Sequence, residues 1–589
     1  MIKKRKFIFF NPQPLSWSIY LPFVKLAKDI INLGHNVTFL NCNSILAKSC
    51  STHWNAFHRV YKKKNKNIIL KNLCSKCIFY QKKIPLVESN FSIIDLEKIL
   101  NKSSKEKYNN VIKKLNFKNI KKIINFKLEN IPIGKFAIYE ILLSFKKRKL
   151  DLNKEEKKIF IQNFKKCLIV YYATKDLINS YPFSDIVINN NSYSLNRTLM
   201  VLCKKYKKNT YNFEHGEHFG KRLSLLELSR LSSTTNHNYF LKEKIWPKYK
   251  NRNILTQENI DLVFEHYKKV FDKKLNMTFS KKPKKNFDIR NNLKILKSQK
   301  IILLVSSSYD EQFAARVIGN RYPKKKIFKS NIEWFEFMIN YAKKNSRFFF
   351  IFRIHPREIP SSRNPLNSQS IKNFYKIFNQ KLPPNIFINW PEQNISLYNI
   401  LPYTDLVLTE GSNVTLEALL FGLPVMTCSK DYSVVPNDLV INSKSKVEYA
   451  INIKKNINKS IKIECIIKSL NWMVLKFIKS KISNLNSFYI NENYSNRFFN
   501  KFFKIYFLKF NLYKIKLIRE KDLKLKEIIE KNKFSPSEII TENKYIENNE
   551  LKKLINSKIL NLLKKIYFNF SNTSKLGKYF NKKICKNTY

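Results

Sequence analysis

The chain has only eight glycines in 589 residues, and two of them fall in Asp405 to Cys428, DLVLTEGSNVTLEALLFGLPVMTC. Gly411 allows backbone to approach a ligand. Ser412 is placed to cap a helix starting at Asn413, and the unsatisfied N–H groups of that first turn would hold an anion such as a diphosphate. Ser412 and Thr415 offer hydroxyls to the same phosphates, and Glu417, one turn on, is placed to accept from ribose hydroxyls. The same letters also fit a plain strand, capped helix and strand, with Glu417 a surface acid. Support comes from two other apolar runs that end in polar groups. KIILLV is followed by Ser306, Ser307 and Ser308, with Asp310 and Glu311 next. FRIHPRE sets His355 between Arg353 and Arg357, where Pro356 forces the chain out of the strand. Open parallel sheets bind ligands at the carboxyl ends of their strands, so these groups are expected to converge on one crevice.

A second set lies in NFEHGEHFG, which places Glu214, His215, Gly216, Glu217 and His218 at a strand end. An imidazole beside two carboxylates has its basicity tuned, which suits His215 to deprotonating a hydroxyl. Glu214 is the competing base, and an ordinary surface turn is the plain alternative. A third set is Cys42, Cys50, Cys74 and Cys77, the last two as CSKC. Four thiols can form a structural zinc site, while buried free thiols are the simpler reading. Nine cysteines, an odd number in a large chain, fit reduced thiols better than a disulfide framework.

The elements positioning these residues follow from periodicity. KFIFFNPQ, an amphipathic helix closed by Gly34, and HNVTFLNC make a βαβ opening. SDIVINN and TYNFEHGE read as further strands joined by a helix. Residues 88–165 are Lys-rich and read as a helical insertion, and the first Rossmann-like domain is expected to span 1–243. A connection over 244–300 leads to a second domain at 301–445. There KIILLVSSS, RFFFIFRIHP, NIFINW, DLVLTEG and LPVMTC are buried-type strands alternating with helices, the pattern of a parallel sheet covered on both faces. Residues 446–589 read as a Lys-rich helical extension. The expected fold class is α/β, two Rossmann-like domains facing a cleft.

The formal net charge of +68, from 111 Lys and Arg against 43 Asp and Glu, would ordinarily point to nucleic acid or an anionic membrane. Yet Lys, Asn, Ile, Phe and Tyr all have A/T-rich codons, and Lys is spread over nearly every helical segment as on a solvated face. Specific nucleic-acid binding is not expected, although peripheral contact with an anionic inner membrane is. MIKKRKFIFFNPQPLSW has too short an apolar run for a signal peptide, and no stretch reaches the roughly 18 apolar residues of a membrane span. A cytoplasmic protein is expected.

Taken in order, SSSYDE, EW, FRIHPRE and LYNILPYTDLVLTEGSNVTLEALLFGLPVM resemble the nucleotide-binding half of GT-B glycosyltransferases that build bacterial surface polysaccharides. The likeness is to capsule polysaccharide biosynthesis proteins and, more distantly, to CDP-glycerol glycerophosphotransferases. It covers about Lys300 to Ser433, with a weaker match through GHNVTFLNC, DIVINNNSYSLNRTL and FEHGE. The resemblance implies that His355 and Ser412 contact the donor's phosphates, Glu417 its ribose, and that Glu214 or His215 acts as base. Retaining members often set seven residues between two glutamates, whereas six stand between Glu410 and Glu417; that favours the inverting type. Such enzymes need no metal ion or other cofactor, with a nucleotide-sugar as donor and a glycan or lipid-linked glycan as acceptor. Three functions follow as expectations: a glycosyltransferase, a CDP-alcohol phosphotransferase using His215 and His355, and a non-enzymatic polyanion-binding protein.

Overall fold

The computed structural model describes residues 4–10, 17–60, 65–82, 91–218, 225–230, 237–272, 281–284, 287–319, 327–361, 364–393, 395–428, 433–483, 523–531, 533, 546–566, 576 and 579. Two sheets organise them. The first runs β12-β6-β5-β4-β1-β2-β3 and the second β11-β10-β7-β8-β9. In the first, β1 (Lys6–Phe10), β2 (Asn36–Asn41), β3 (Phe91–Asp95), β4 (Asp185–Asn189) and β5 (Asn209–Glu214) are mutually parallel, while β6 (Leu225–Arg230) and β12 (Ile482–Ser483) close one edge antiparallel. In the second, β7 (Lys300–Val305), β8 (Phe348–Arg353), β9 (Ile386–Asn389), β10 (Leu406–Thr409) and β11 (Val425–Thr427) are all parallel. This is the expected α/β architecture of two parallel-sheet domains, and their strand ends share a cleft.

The unbroken apolar runs have a simple cause. Successive side chains of a strand face opposite sides, and both sides of these sheets are covered. Ile8 and Phe10 pack into one core with Ile186, Ile188 and Leu199, whereas Phe7 and Phe9 pack into another with Phe23 and Phe39. Ile301 and Leu303 split from Ile302 and Leu304 in the same way. Each such side chain contributes about 1.5–3 kcal/mol on burial. Helix starts are set by polar caps. Ser330 accepts from the Glu333 N–H at 3.2 Å, and Asn153 forms a capping box with Glu156 ahead of the 27-residue helix Lys154–Ser180.

Three features differ from the sequence reading. The Lys-rich stretch 88–165 opens with a strand, since β3 pairs with β2 from Val37↔Phe91 to Asn41↔Asp95 and extends the sheet. A short helix, Tyr309–Val317, follows the Ser306–Ser308 turn. The stretch after Ser445, mainly helical where it is described, also packs into both domains. It supplies β12, adds Leu525, Ile528 and Ile529 to the core around Phe7 and Phe9, and adds Leu551, Ile555, Ile559 and Leu563 to the core of the second domain. Residues 484–522, 532, 534–545, 567–575, 577, 578 and 580–589 lie outside the described residues.

A polar strap joins the domains on one side of the cleft. The fully buried Lys146 donates to the carbonyls of Ile359, at 2.9 Å, and Leu366, at 2.5 Å. Nearby, Asn364 Nδ2 donates to Ser144 O, and the Arg148 N–H to Gln369 Oε1. Burial pushes the Lys146 ammonium down to about 8, with the Arg357 charge adding to the effect.

Candidate active site

A cavity of about 500 Å³ lies between the carboxyl ends of the two sheets. Of the residues singled out in the sequence, Glu214, His215, Ser307, Ser308, Arg353, His355, Gly411, Ser412 and Glu417 all line it. Thr415 does not: it is fully buried in the helix Val414–Leu420, behind the wall. Its expected contact with phosphate is therefore corrected, because a residue one position after the helix start points into the domain rather than over the crevice.

On the second domain's wall, polar groups are held by short-range hydrogen bonds. Ser306 Oγ accepts from the His355 N–H at 2.9 Å, tying the turn after β7 to the turn after β8. His355 Nδ1 accepts from the Arg357 N–H at 3.2 Å, so the neutral ring carries its proton on Nε2 and can donate from there. Burial, with Arg357 close by, lowers His355 to about 4, so the ring is neutral at physiological pH. Ser308 Oγ donates to Glu311 Oε2 at 2.6 Å. Arg353 is turned to the sheet edge, bonding Asn389 and the Ile395 carbonyl, and burial pulls it down to about 10. Arg357 is paired with Asp310 and Glu311.

The glycine turn behaves as its letters require, with one shift. Gly411 has φ +78°, the left-handed region where a Cβ is strained. The helix starts at Val414 rather than Asn413, yet Ser412 Oγ accepts from the Val414 N–H at 3.3 Å. The first turn is less open than expected. Ser412 N–H donates to Thr409 Oγ1, Thr415 N–H to Ser412 O and Leu416 N–H to Asn413 O, so the Asn413 N–H is the donor left on the exposed rim. Glu417 accepts from Tyr398 OH at 3.3 Å through Oε1, and its Oε2 has no hydrogen-bond partner among the described residues. Burial pushes this carboxyl up to about 8.

The first domain's wall is a buried ion cluster. Antiparallel pairing of β5 and β6 puts Glu214 opposite Glu227, and like charges directly opposed do not ionise together readily. Glu227 takes the charge, since Lys481 Nζ lies 2.9 Å from it; His237 Nε2 is 3.9 Å away, but burial lowers that ring to about 4 and leaves it neutral. Glu214, buried and facing that anion, is raised well above the usual carboxylate range. Its Oε1 accepts from Asn212 Nδ2 at 2.9 Å. Glu217 is paired with Lys476 at 2.6 Å and Lys481 at 3.7 Å. His215 lies half-buried on the same wall. Glu227, His237, Lys476 and Lys481 were not found from sequence. In a chain this rich in lysine nothing in the sequence marks two of them as buried counter-ions.

The fold and cavity define a two-domain α/β protein with a cleft site. No family model matches the chain, and no curated protein matches it. Solved structures similar to it include CalG4, the calicheamicin glycosyltransferase, at 11% identity and TM-score 0.25, covering 81% of this chain and 95% of that one. Another is KpsC, the beta Kdo 2,4 transferase of Thermosulfurimonas dismutans, at 13% identity and TM-score 0.28, covering 49% and 79%. A third is the UDP-GlcNAc 2-epimerase of Methanocaldococcus jannaschii, at 13% identity and TM-score 0.25, covering 80% and 97%. At these values the likenesses carry no residue's role to this chain.

Proposed function

We propose that the protein is a glycosyltransferase that moves a sugar from a nucleotide-sugar donor to a growing bacterial surface polysaccharide. One observation carries this reading: a single cavity has neutral hydrogen-bond donors on one wall and a carboxyl of raised proton affinity on the other. His355 Nε2–H, the Asn413 N–H and the Ser307 hydroxyl would hold the donor's diphosphate. Glu417 would take the ribose, its unpartnered Oε2 meeting a hydroxyl. Glu214, or His215 beside it, would remove the acceptor hydroxyl's proton as that oxygen attacks the anomeric carbon. The sugar–phosphate bond then breaks, and the nucleoside diphosphate keeps the electron pair. The polysaccharide acceptor and the inverting outcome rest on the resemblance of the second domain's strand-end motifs to surface-polysaccharide transferases. Among the described residues no helix is long and apolar enough to cross a membrane. A lipid-linked acceptor would therefore be met from the basic surface.

Calorimetric titration of UDP, CMP and GDP into the wild-type chain and into Glu417→Ala tests the reading. Binding of one nucleotide class, weakened in the variant, is expected. A wild-type chain that binds no nucleotide would overturn it.

A further inference from the structure

A second, much smaller cavity of about 20 Å³ lies away from the cleft, beside the end of β2. All four of Cys42, Cys50, Cys74 and Cys77 line it, together with His53. They come from three separate pieces of backbone: the strand end, the turn before the helix Ser51–Val60, and two successive turns of the helix Lys66–Gln81. Spacing of three along a helix puts Cys74 and Cys77 on one face, and that face is turned to the other two thiols.

His53 gives the cluster a direction. Its Nδ1 accepts from the Lys48 N–H, so the neutral ring carries its proton on Nε2. That nitrogen lies 3.5 Å from Cys74 Sγ. A ring that carries its proton on Nε2 is not itself a ligand; hydrogen-bonded to the Leu70 backbone and set against the Cys74 sulfur, it stands where outer-shell groups stand at metal sites. The Lys166 ammonium, donating to the Ile45 carbonyl at 2.6 Å, adds positive charge over the same loop. The packing of the helix Lys66–Gln81 points the same way. Of its 16 residues only Tyr80 and Gln81 are buried, while Ile68 and Phe79 are exposed. Ile69, Leu70, Leu73 and Ile78 are only half-buried, so a tie at the thiols would add to a modest apolar contact.

We propose that Cys42, Cys50, Cys74 and Cys77 bind a single structural zinc ion, with His53 beside Cys74 just outside the coordination sphere. Among the described residues no three donors already stand at coordination distances about one point. Binding therefore draws the thiols inward by side-chain rotation, each releasing its proton to solvent as its sulfur–zinc bond forms. Four thiolates close the coordination sphere, which makes the site a staple and not a reaction centre.

The test uses the full chain purified without chelators. Elemental analysis is expected to find about one zinc per chain. Removal and replacement by Co²⁺ should give thiolate-to-metal charge transfer in the near ultraviolet and the visible bands of a tetrahedral ion. Cys74→Ser with Cys77→Ser should abolish both signals, His53→Ala should weaken affinity by about 10–100-fold, and Cys465→Ser, exposed on the helix Ile463–Val474 in the second domain's core, should change neither. A folded wild-type chain that takes up neither Zn²⁺ nor Co²⁺ overturns the proposal whatever the variants do. Unaltered uptake by the double variant, or iron with matching sulfide in place of zinc, overturns it as well.

Discussion

The two walls of the cleft solve the problem of polar groups at strand ends in opposite ways. On the second domain they are mostly neutral and satisfied locally: Ser306 with His355, His355 with Arg357, Ser412 with Val414, and the arginines turned back onto Asn389 or Asp310. On the first domain they are ionised and satisfied from afar, with Glu217 and Glu227 neutralised by Lys476 and Lys481 more than 240 residues later. A wall of pre-positioned, mostly neutral donors suits recognition, since they need not reorganise as a ligand arrives. A wall of competing buried charges suits proton transfer, since a small change in one group moves the proton affinity of the next.

The sharpest way to break this contrast is at Glu214. Glu214→Gln is expected to slow turnover by about 10²–10⁴-fold, the usual worth of a general base, with nucleotide affinity within a few-fold of wild type by calorimetry. In the wild type, turnover should fall as pH drops through Glu214's raised proton affinity, because only the ionised carboxylate accepts a proton. If the loss appears in nucleotide binding instead, the two walls have been assigned the wrong way round.

Lys481→Met comes next. It leaves the buried Glu227 without its lysine counter-ion, which is expected to cost about 3–5 kcal/mol of unfolding free energy in denaturant titrations. It should also move the acid limb of the rate profile to higher pH, since the Lys481 charge favours ionised Glu214. Stability lost with no movement of the limb would separate the cluster from the chemistry.

On the recognition wall, Glu417→Ala should weaken nucleotide binding by about 1–3 kcal/mol, the cost of an unpaired buried polar group. Burial raises this carboxyl to about 8 in the free protein. Ribose hydroxyls donating to it favour the ionised form, so wild-type affinity should strengthen as pH rises through 8, and the variant's should stay flat. The smallest effect belongs to Thr415→Val. Its hydroxyl is buried and lacks a hydrogen-bond partner among the described residues, so affinity should change by less than about 2-fold.

How much of this was legible beforehand follows the same division. The strands that hold the recognition wall are buried on both faces, so their apolar runs announce them, and Ser307, His355 and Gly411 follow directly where those runs end. The side a residue faces after the turn was not legible: Ser412 and Glu417 look into the cavity while Thr415 between them does not. β3 and β12 were missed because one is embedded in Lys-rich text and the other is two residues long; each is a strand only through its partner. The reaction wall was half visible. Glu214 and His215 stood out, but the register that sets Glu227 opposite Glu214 depends on antiparallel pairing at a sheet edge, and the lysines that neutralise it are indistinguishable from dozens that face water.

The crossing of Lys476 and Lys481 back to the first sheet also sets an order of events in time. Residues 1–230 leave the ribosome carrying Glu217 and Glu227, and at that moment neither Lys476 nor Lys481, which pair with them, has been made. Amino-terminal domains ordinarily fold first during synthesis. Here the edge of the first sheet gains its second antiparallel strand, β12, and its neutralising charges only when residues 476–483 emerge. The ion cluster on the first domain's wall is thus completed only well after its carboxylates have been translated.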